Sequence, residues 1–224
     1  CQNYSNDHLR KVEKGSDLIV MSPYKLLILI VLPIFISCMR SSTTLKNGDL
    51  LFFKPQESVM EQAISSSTGE GFVHVAIVEV DEGKCIWVID ATPQKGVGRI
   101  PLKKKLSEEK GEDVYVYRLR DTSGLGASVR KAKSLVGKSY DWHFSQDNDQ
   151  YYCSELVCVC YTRPDSKRIF SNSPMNFLDK DGQLPVFWKE LFENLDIPVP
   201  QGQDGTNPED LSHSSELINT GIRP

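Results

Sequence analysis

The middle of the chain contains three segments whose composition commits them to β-structure, and these constrain the fold more than any other feature. Residues 73–80 (VHVAIVEV) and 85–91 (CIWVIDA) are rich in β-branched and aromatic residues, and residues 113–120 (DVYVYRLR) alternate in polarity. Such side chains favour strands, and a period of two is typical of a strand with one buried face. Together with a buried strand at the end of residues 45–54 (LKNGDLLFFK), they predict a sheet.

Helical segments lie on both sides of these strands in the sequence. Gly137 and Pro164 follow two of the predicted helices and would end them, whereas the glycines at 96 and 98 predict a loop. This order of elements predicts an α+β domain in which an antiparallel sheet is packed with helices. The predicted helices span residues 57–66, 126–136, 152–161 and 187–195.

A short apolar run near the N-terminus predicts export from the cytoplasm. Residues 26–36 (LLILIVLPIFI) follow a lysine and precede Ser37-Cys38. The run is shorter than the roughly 20 apolar residues of a membrane-spanning helix, and its flanks are those of a secretory signal. Residues 36–38 also resemble a lipobox, with Phe35 in place of the usual leucine, so Cys38 is the predicted lipidation site. The alternative is an uncleaved anchor with an ordinary cysteine at this position.

The predicted domain organisation follows from this signal. Residues 1–20 are polar and without pattern, and we interpret them as a non-native or disordered leader, since Met21 is a candidate translation start. Residues 21–37 form the predicted lipoprotein signal peptide, residues 38–44 a tether to the lipid anchor, and residues 45–224 one folded domain. We therefore expect a membrane-anchored protein of the cell envelope that faces the periplasm.

The charge pattern argues against nucleic acid as a partner. The chain of 224 residues has a formal net charge of −4 and carries no basic stripe. Residues 103–110 (KKKLSEEK) contain three consecutive lysines, but acidic residues follow at once. This mixed sequence predicts a solvated surface.

Four cysteines fall in the predicted domain, and their spacing predicts neither disulfides nor a metal site. Cys153, Cys158 and Cys160 lie on one predicted helix, where side chains diverge and match disulfide geometry poorly. Their spacing is not a zinc pattern, and no histidine lies nearby at ligand spacing. We therefore expect no metal and no cofactor, and we interpret Cys85, Cys158 and Cys160 as buried packing residues.

Cys153 is the strongest chemical feature of the chain. It lies in residues 151–157 (YYCSELV), at the first turn of a predicted helix, and shares one helix face with Leu156, Val157 and Cys160. A helix N-terminus favours negative charge and biases a thiol towards thiolate, and the polar residues 146–150 before it offer capping side chains. On this evidence alone, an inward cysteine is more often a packing residue than a nucleophile.

A nucleophilic cysteine needs a base, and the best candidate is His74. Its ring interrupts an otherwise apolar strand, where a polar group must be accounted for. The alternative is a purely structural core histidine whose ring donates a hydrogen bond to a backbone carbonyl. His143 lies before the Cys153 helix but has no obvious orienting neighbour, and His213 lies in a polar tail.

Asp90 interrupts the next strand in the same way as His74 and is the candidate for a third, orienting group. A two-residue turn between the strands would place Asp90 and His74 on opposite faces. A three-residue turn over residues 81–83, with left-handed Gly83, pairs Val80 with Lys84 and sets Asp90 directly opposite His74. We predict the second arrangement.

At this point the sequence resembles a known family, the YiiX/YaeF-type cysteine hydrolases. The resemblance runs from about residue 45 to the C-terminus and is carried by NGDLLFF, FVHVAIVE, WVIDATPQKGVGRIPL, YDWHF and YYCSELV. These proteins are circularly permuted papain-like amidases related to NlpC-type cell-wall peptidases. The resemblance implies a permuted papain-like domain in which the order is His74, Asp90, then Cys153. Many relatives carry glutamate at the position of Asp90.

By this resemblance the chain is a cysteine hydrolase, an amidase or peptidase that cleaves an amide through a thioester. The predicted envelope location favours a peptide substrate, with murein peptides as the candidate. A lipid amidase, esterase or acyl-transfer enzyme on the same scaffold is the first alternative, and a non-catalytic envelope binding protein is the second. We expect no obligate protein partner. The side chains considered for an acyl groove, or alternatively for the core, are Phe52, Phe53, Trp142 and Phe144.

Overall fold

The computed structural model describes residues 44–69, 71–109, 114–146 and 148–224. The predicted leader, signal peptide, lipidated Cys38 and nearly all of the tether lie outside these residues. In the part of the chain that is described, no helix is both long and apolar enough to cross a membrane.

The structure contains eight strands and six helices within the described residues. The strands are β1 (Leu50–Phe53), β2 (His74–Val80), β3 (Ile86–Thr92), β4 (Gly96–Pro101), β5 (Val114–Leu119), β6 (Ser173–Pro174), β7 (Asp204–Gly205) and β8 (Leu217–Asn219). The helices are α1 (Val59–Thr68), α2 (Leu102–Glu108), α3 (Leu125–Ser134), α4 (Cys153–Cys160), α5 (Val186–Leu195) and α6 (Pro208–Ser212).

Six strands form one antiparallel sheet in the order β4-β3-β2-β1-β5-β8. The sheet separates two apolar layers, because successive residues of a strand point to opposite faces. On one face Val75 and Ile77 pack in a core with α1, α3, α4 and α5. On the other face Ala76 and Val78 pack with Leu102 and Leu106 of α2. The predicted α+β class with an antiparallel sheet is confirmed.

The glycine-rich segment that predicted a loop is instead strand β4. Gly96 has a φ of +66°, and a Cβ atom there would lie only 2.1 Å from the Lys138 carbonyl oxygen. The Val97 N–H donates to that same carbonyl at 2.8 Å. The glycine therefore lets another backbone approach the sheet closely, a use of glycine in strands that composition alone hides.

Beyond β4, the lysine run forms helix α2, which the sequence did not predict. Leu102 and Leu106 lie one turn apart and cover the second face of the sheet. Lys105 lies between them on the same side of the helix and is only 3% exposed. The prediction that this run is a solvated surface is wrong for Lys105, because the apolar spacing draws it inside.

A buried ion pair fixes the start of β1 against β5. Asp49, which is 1% exposed, accepts hydrogen bonds from Arg118 Nε at 2.6 Å and Nη2 at 2.8 Å, and from the Lys46 N–H at 2.7 Å. The last contact is local turn chemistry. The Arg118 contacts raise the pKa of its guanidinium further, chiefly through the hydrogen bond to Asp49.

Replacing Arg118 with methionine should destabilise the domain by about 3 kcal/mol, because the Asp49 carboxylate would stay buried without its cation. Urea unfolding checks this, with Arg120→Met as the matched control. Arg120 is exposed, and within the described part of the chain its guanidinium contacts the backbone carbonyl of Ser215, so we expect a change within about 1 kcal/mol. Equal losses in the two variants would contradict the importance of the ion pair.

Candidate active site

Cys153 is the first residue of α4 and is buried, with 7% of its surface exposed. Leu156, Val157 and Cys160 are also buried, which confirms the predicted inward face. The residue that caps the helix is Tyr152, in an extended conformation, and not one of the polar residues before it. Glu155 reaches back, and its carboxylate accepts a hydrogen bond from the Tyr152 N–H at 3.4 Å.

The other cysteines are chemically distinct from Cys153. Cys158 and Cys160 are buried, as predicted, and burial raises the pKa of their thiols to about 11 and about 12. These thiols are therefore protonated at neutral pH. Cys85 is exposed, so the prediction that it packs in the core is wrong. Its position beside the β2–β3 turn, and not its residue type, decides its exposure.

His74 and Asp90 meet on the same face of the sheet. His74 is the first residue of β2, and its Nε2 lies 2.9 Å from Asp90 Oδ2. The Asp90 side chain is almost fully buried, whereas the His74 side chain is 16% exposed. Since Nε2 is taken by Asp90, the other ring nitrogen remains for a further partner.

That further partner is the Cys153 thiol, which lies close enough to His74 to help raise the pKa of its imidazole. Helix α4 packs against β2 and β3 from the layer opposite to α2. His74 lies at the very start of its strand, so its ring can contact groups from both layers. The site is thus assembled at the end of the sheet.

The register that brings Asp90 to His74 differs from the predicted one. Val80 pairs with Ile86 and Val78 with Val88, and continuing this register places Thr92 opposite His74. Asp90 is therefore a diagonal neighbour of His74. The two registers differ by two residues, which preserves the face of every side chain, and diagonal neighbours remain within reach of long side chains.

The turn explains the shift in register. Its three loop residues are 82–84, one position later than predicted, and the left-handed residue is Lys84, with a φ of 62°, instead of Gly83. The Lys84 N–H donates to the Asp81 carbonyl at 2.9 Å, and the Asp81 N–H donates to the Cys85 carbonyl at 3.0 Å. The Asp81 carboxylate also accepts from the Cys85 N–H at 2.8 Å. This side-chain bond favours the later turn.

Lys105 is a fourth member of the site that the sequence did not reveal. Its Nζ lies 2.7 Å from Asp90 Oδ2, 2.8 Å from Glu109 Oε1 and 3.4 Å from His74 Nε2. The signal that could have found it is the spacing of Leu102, Lys105 and Leu106, which places all three on one helix face. Without knowledge that residues 102–108 are helical, this spacing has no meaning.

The contacts set the protonation states of His74 and Asp90. For His74, burial and the nearby Lys105 charge lower the pKa, but hydrogen bonds to Asp90 and Cys153 outweigh them and raise it to about 9. For Asp90, burial favours the neutral acid, but His74 and Lys105 outweigh it and lower the pKa to about 2. At neutral pH an imidazolium and a carboxylate therefore face each other.

The remaining histidines are not part of this arrangement. The His143 side chain is exposed, and the backbone N–H of His143 donates to the buried Asp141 carboxylate at 2.9 Å. Asp141 also accepts from the Ser145 N–H at 2.8 Å, so its carboxylate holds the loop that leads to α4. His213 is exposed and lies 3.6 Å from Glu209.

Comparison with known proteins places this chain and its fold in a family. Residues 44–219 match the family described as permuted papain-like amidase enzymes, YaeF/YiiX. The chain belongs to this family, and the fold is that of a permuted papain-like hydrolase.

Two similar proteins come from Escherichia coli. YiiX of strain K12, described as an uncharacterized protein, is 26% identical over 195 residues, which cover 84% of this chain and 92% of that protein. A crystal structure described as metalloprotein YiiX from Escherichia coli O157:H7 matches with a TM-score of 0.65 and 22% identity. This structural match covers 79% of this chain and 97% of the chain in the crystal structure.

The description of that crystal structure raises the question of a metal ion. Within the described ranges here, no group of three or more His, Cys, Asp or Glu side chains is placed to hold one. The residues that are described do not fit a metal.

The pKa of His74 should move in opposite directions when its two charged neighbours are removed. Asp90→Asn removes the hydrogen-bonded carboxylate and should lower the pKa from about 9 towards 6.5. Lys105→Met removes a repelling cation and should raise it above 9. Titration by NMR with labelled histidine measures both values. The control is Lys104→Met, since Lys104 is exposed and pairs with Glu108, and it should leave the His74 titration unchanged.

The same pKa predicts the direction of a stability change with pH. The value of about 9 in the folded protein lies above the ordinary value of 6.5. Protonation of His74 therefore stabilises the fold fully below pH 6.5, and this contribution is lost as the pH rises through 9. A His74 titration midpoint near or below 6.5 in the unchanged protein would contradict the arrangement.

Proposed function

We propose that this protein is a cysteine amidase in which Cys153 is the nucleophile, His74 the acid–base and Asp90 the group that orients His74. The observation that carries the proposal is the connected arrangement of a buried carboxylate, an imidazole and a thiol at the start of a helix. Membership of the permuted papain-like amidase family supports it.

The first half of the reaction forms a thioester. The reaction starts from a Cys153 thiolate beside the His74 imidazolium, and the thiolate attacks the carbonyl carbon of an amide. The C–N bond then breaks, and the imidazolium delivers its proton to the departing nitrogen, so that a neutral amine leaves. Asp90 holds Nε2 and leaves the other nitrogen directed at the thiol, which keeps the proton on the correct path.

The second half consumes water. His74 accepts a proton from a water molecule as its oxygen attacks the thioester carbonyl. The C–S bond breaks, the acid is released, and the thiolate and imidazolium are restored. Net hydrolysis adds one water to one amide and leaves the enzyme unchanged.

Negative charge on the carbonyl oxygen needs hydrogen-bond donors. The N–H groups of the first helical turn have no carbonyl partner within the helix, so the Cys153 N–H is one candidate donor. A second is the Tyr140 hydroxyl, which is buried near Cys153. Burial, and then the charge of Cys153, raises the pKa of Tyr140 well above its ordinary value, so this hydroxyl keeps its proton.

The cellular setting is also part of the proposal. We infer that residues 21–37 direct export and that Cys38 carries a lipid anchor, which would hold the domain at a membrane of the cell envelope. The sequence pattern of residues 26–38 supports this. The substrates reached from such a position are small peptides or lipid-derived amides.

Cys153 should react with iodoacetamide at neutral pH at least about tenfold faster than Cys158 or Cys160, because burial raises the pKa of the Cys158 and Cys160 thiols, whereas Cys153 lies beside His74. Mass spectrometry of tryptic peptides gives the rate at each cysteine. His74→Ala should slow the alkylation of Cys153. His143→Ala, which removes an exposed ring, should not change that rate. Equal rates at the three buried cysteines would show that Cys153 is a packing residue.

Hydrolysis should depend on Cys153 in the same way. With N-butyryl-p-nitroaniline as the probe, Cys153→Ala should lower kcat/KM by at least about a thousandfold. The matched control is Cys85→Ala, which removes an exposed thiol far from His74 in the sheet and should keep full activity. Retention of activity in Cys153→Ala would overturn the proposed function.

A further inference from the structure

The surroundings of Cys153 and His74 are chemically unequal. On the side of Cys153 lies a small cavity of about 60 Å³, here called the thiol cavity. Its walls include four buried apolar side chains, namely Phe144, Met175, Phe177 and Trp188. Three of these are aromatic rings that contact one another edge to face, with centroids 5.1 to 5.7 Å apart, which makes the wall rigid.

The polar side chains in the thiol cavity already have partners in the protein. Ser67 Oγ accepts from Trp188 Nε1 at 3.3 Å, and the Tyr152 hydroxyl accepts from the Thr206 N–H at 3.2 Å. Ser154 Oγ donates to the Thr206 carbonyl at 3.1 Å. No charged side chain is among the described residues that line this cavity. It therefore offers mainly hydrocarbon surface to a ligand.

The side of His74 is different. A groove of about 380 Å³, here called the imidazole groove, is lined by His74, Lys105, Glu61 and Glu109. Trp142 and Phe187 add apolar surface to it. A ligand in this groove would meet charges of both signs.

The two spaces are neighbours. Ile64 and Val73 line both the thiol cavity and the imidazole groove. A substrate placed over these residues would extend in both directions, with its reacting carbonyl between the thiol and the imidazole.

The chemistry of the reaction decides which part of a substrate lies where. The imidazolium gives its proton to the departing nitrogen, so the amine must lie on the side of His74. The acyl group stays on the Cys153 sulfur as the thioester and must lie on the other side. The acyl group thus occupies apolar surface, and the amine occupies the charged groove.

We propose that the substrates are N-acyl amides in which an aliphatic acyl chain fills the thiol cavity and a polar amine lies in the imidazole groove. This inference rests on the proposed cysteine amidase function and names its substrate class. It disfavours murein peptides, since a polar or charged acyl residue would lose its water in the thiol cavity without a counter-charge. Of the residues considered for an acyl groove, Phe144 lines the thiol cavity and Trp142 the imidazole groove, whereas Phe52 and Phe53 are core.

A series of N-acyl ethanolamides, from acetyl to dodecanoyl, tests the inference with a constant amine. Released ethanolamine is measured by mass spectrometry, with succinyl ethanolamide as the charged comparison. We expect kcat/KM to rise about fourfold per methylene until the cavity is filled, and the succinyl compound to be cleaved more slowly than the butyryl compound. A rate that is independent of chain length, or faster for succinyl, would overturn the inference.

A pair of tryptophan variants on α1 tests the location of the acyl chain. Thr68 lines the thiol cavity and is half-buried, whereas Ser66 of the same helix is exposed. Thr68→Trp should lower the ratio of butyryl to acetyl cleavage at least tenfold, because the indole occupies space in the cavity. Ser66→Trp should leave the ratio unchanged, and an unchanged ratio in both variants would place the chain elsewhere.

The outcomes separate the substrate class from the catalytic proposal. Cleavage that requires Cys153 but shows no preference for long acyl chains would leave the amidase function standing and remove the inference. Selective labelling of Cys153 without cleavage of any ethanolamide would also overturn the inference alone. Cleavage that persists in Cys153→Ala would remove the proposed function.

Discussion

The candidate site depends on one buried carboxylate. Asp90 is 4% exposed and contacts both His74 and Lys105 with its Oδ2 atom. A buried carboxylate without a cation would be protonated or would destabilise the fold, so these two contacts keep it ionised. In return, the carboxylate keeps the imidazole protonated beside Cys153. Loss of this single group would leave His74 facing the Lys105 cation without a counter-charge, and the pKa of His74 would fall.

Lys105 has a double effect on this arrangement. It stabilises the Asp90 carboxylate, but it also lowers the pKa of His74. Glu109, which contacts the same ammonium at 2.8 Å, draws part of that charge away from the ring. We infer that α2 adjusts the pKa of His74 through the charge of Lys105, without contact with the reacting atoms. The site is therefore a cluster of alternating charges. A description limited to Cys153, His74 and Asp90 omits the Lys105 charge, which changes the pKa of His74.

The architecture explains why the two sides of the site differ. Cys153 comes from the helical layer whose core is apolar and aromatic, whereas His74, Asp90 and Lys105 belong to the face covered by α2. The cavity beside Cys153 is lined by uncharged side chains of its own layer, whereas the groove beside His74 adds Lys105 and Glu109 from the side of α2 to apolar residues that pack on the same core as Cys153. The proposed preference for an apolar acyl group and a polar amine is a consequence of this layering.

The sequence by itself determined strands β1, β2, β3 and β5, four of the six helices that the structure describes, and the identity of the two residues that meet, His74 and Asp90. It could do so because strand composition, helix periodicity and the side-chain period of two are local properties. Even a register that was wrong by two residues kept His74 and Asp90 on one face, since a shift of two preserves side-chain direction. The pattern around Cys153 likewise predicted an inward position on a helix.

Only the tertiary structure decided the role of Lys105, the strand at Gly96–Pro101, the turn at Lys84 and the two spaces beside the site. Lys105 becomes buried only when α2 packs on the sheet, and β4 forms only where the backbone around Lys138 comes close to Gly96. The thiol cavity is lined by residues from distant parts of the chain, from α1 to the segment before α6. Such contacts depend on free energies summed over the whole packed domain, which no local window of sequence contains.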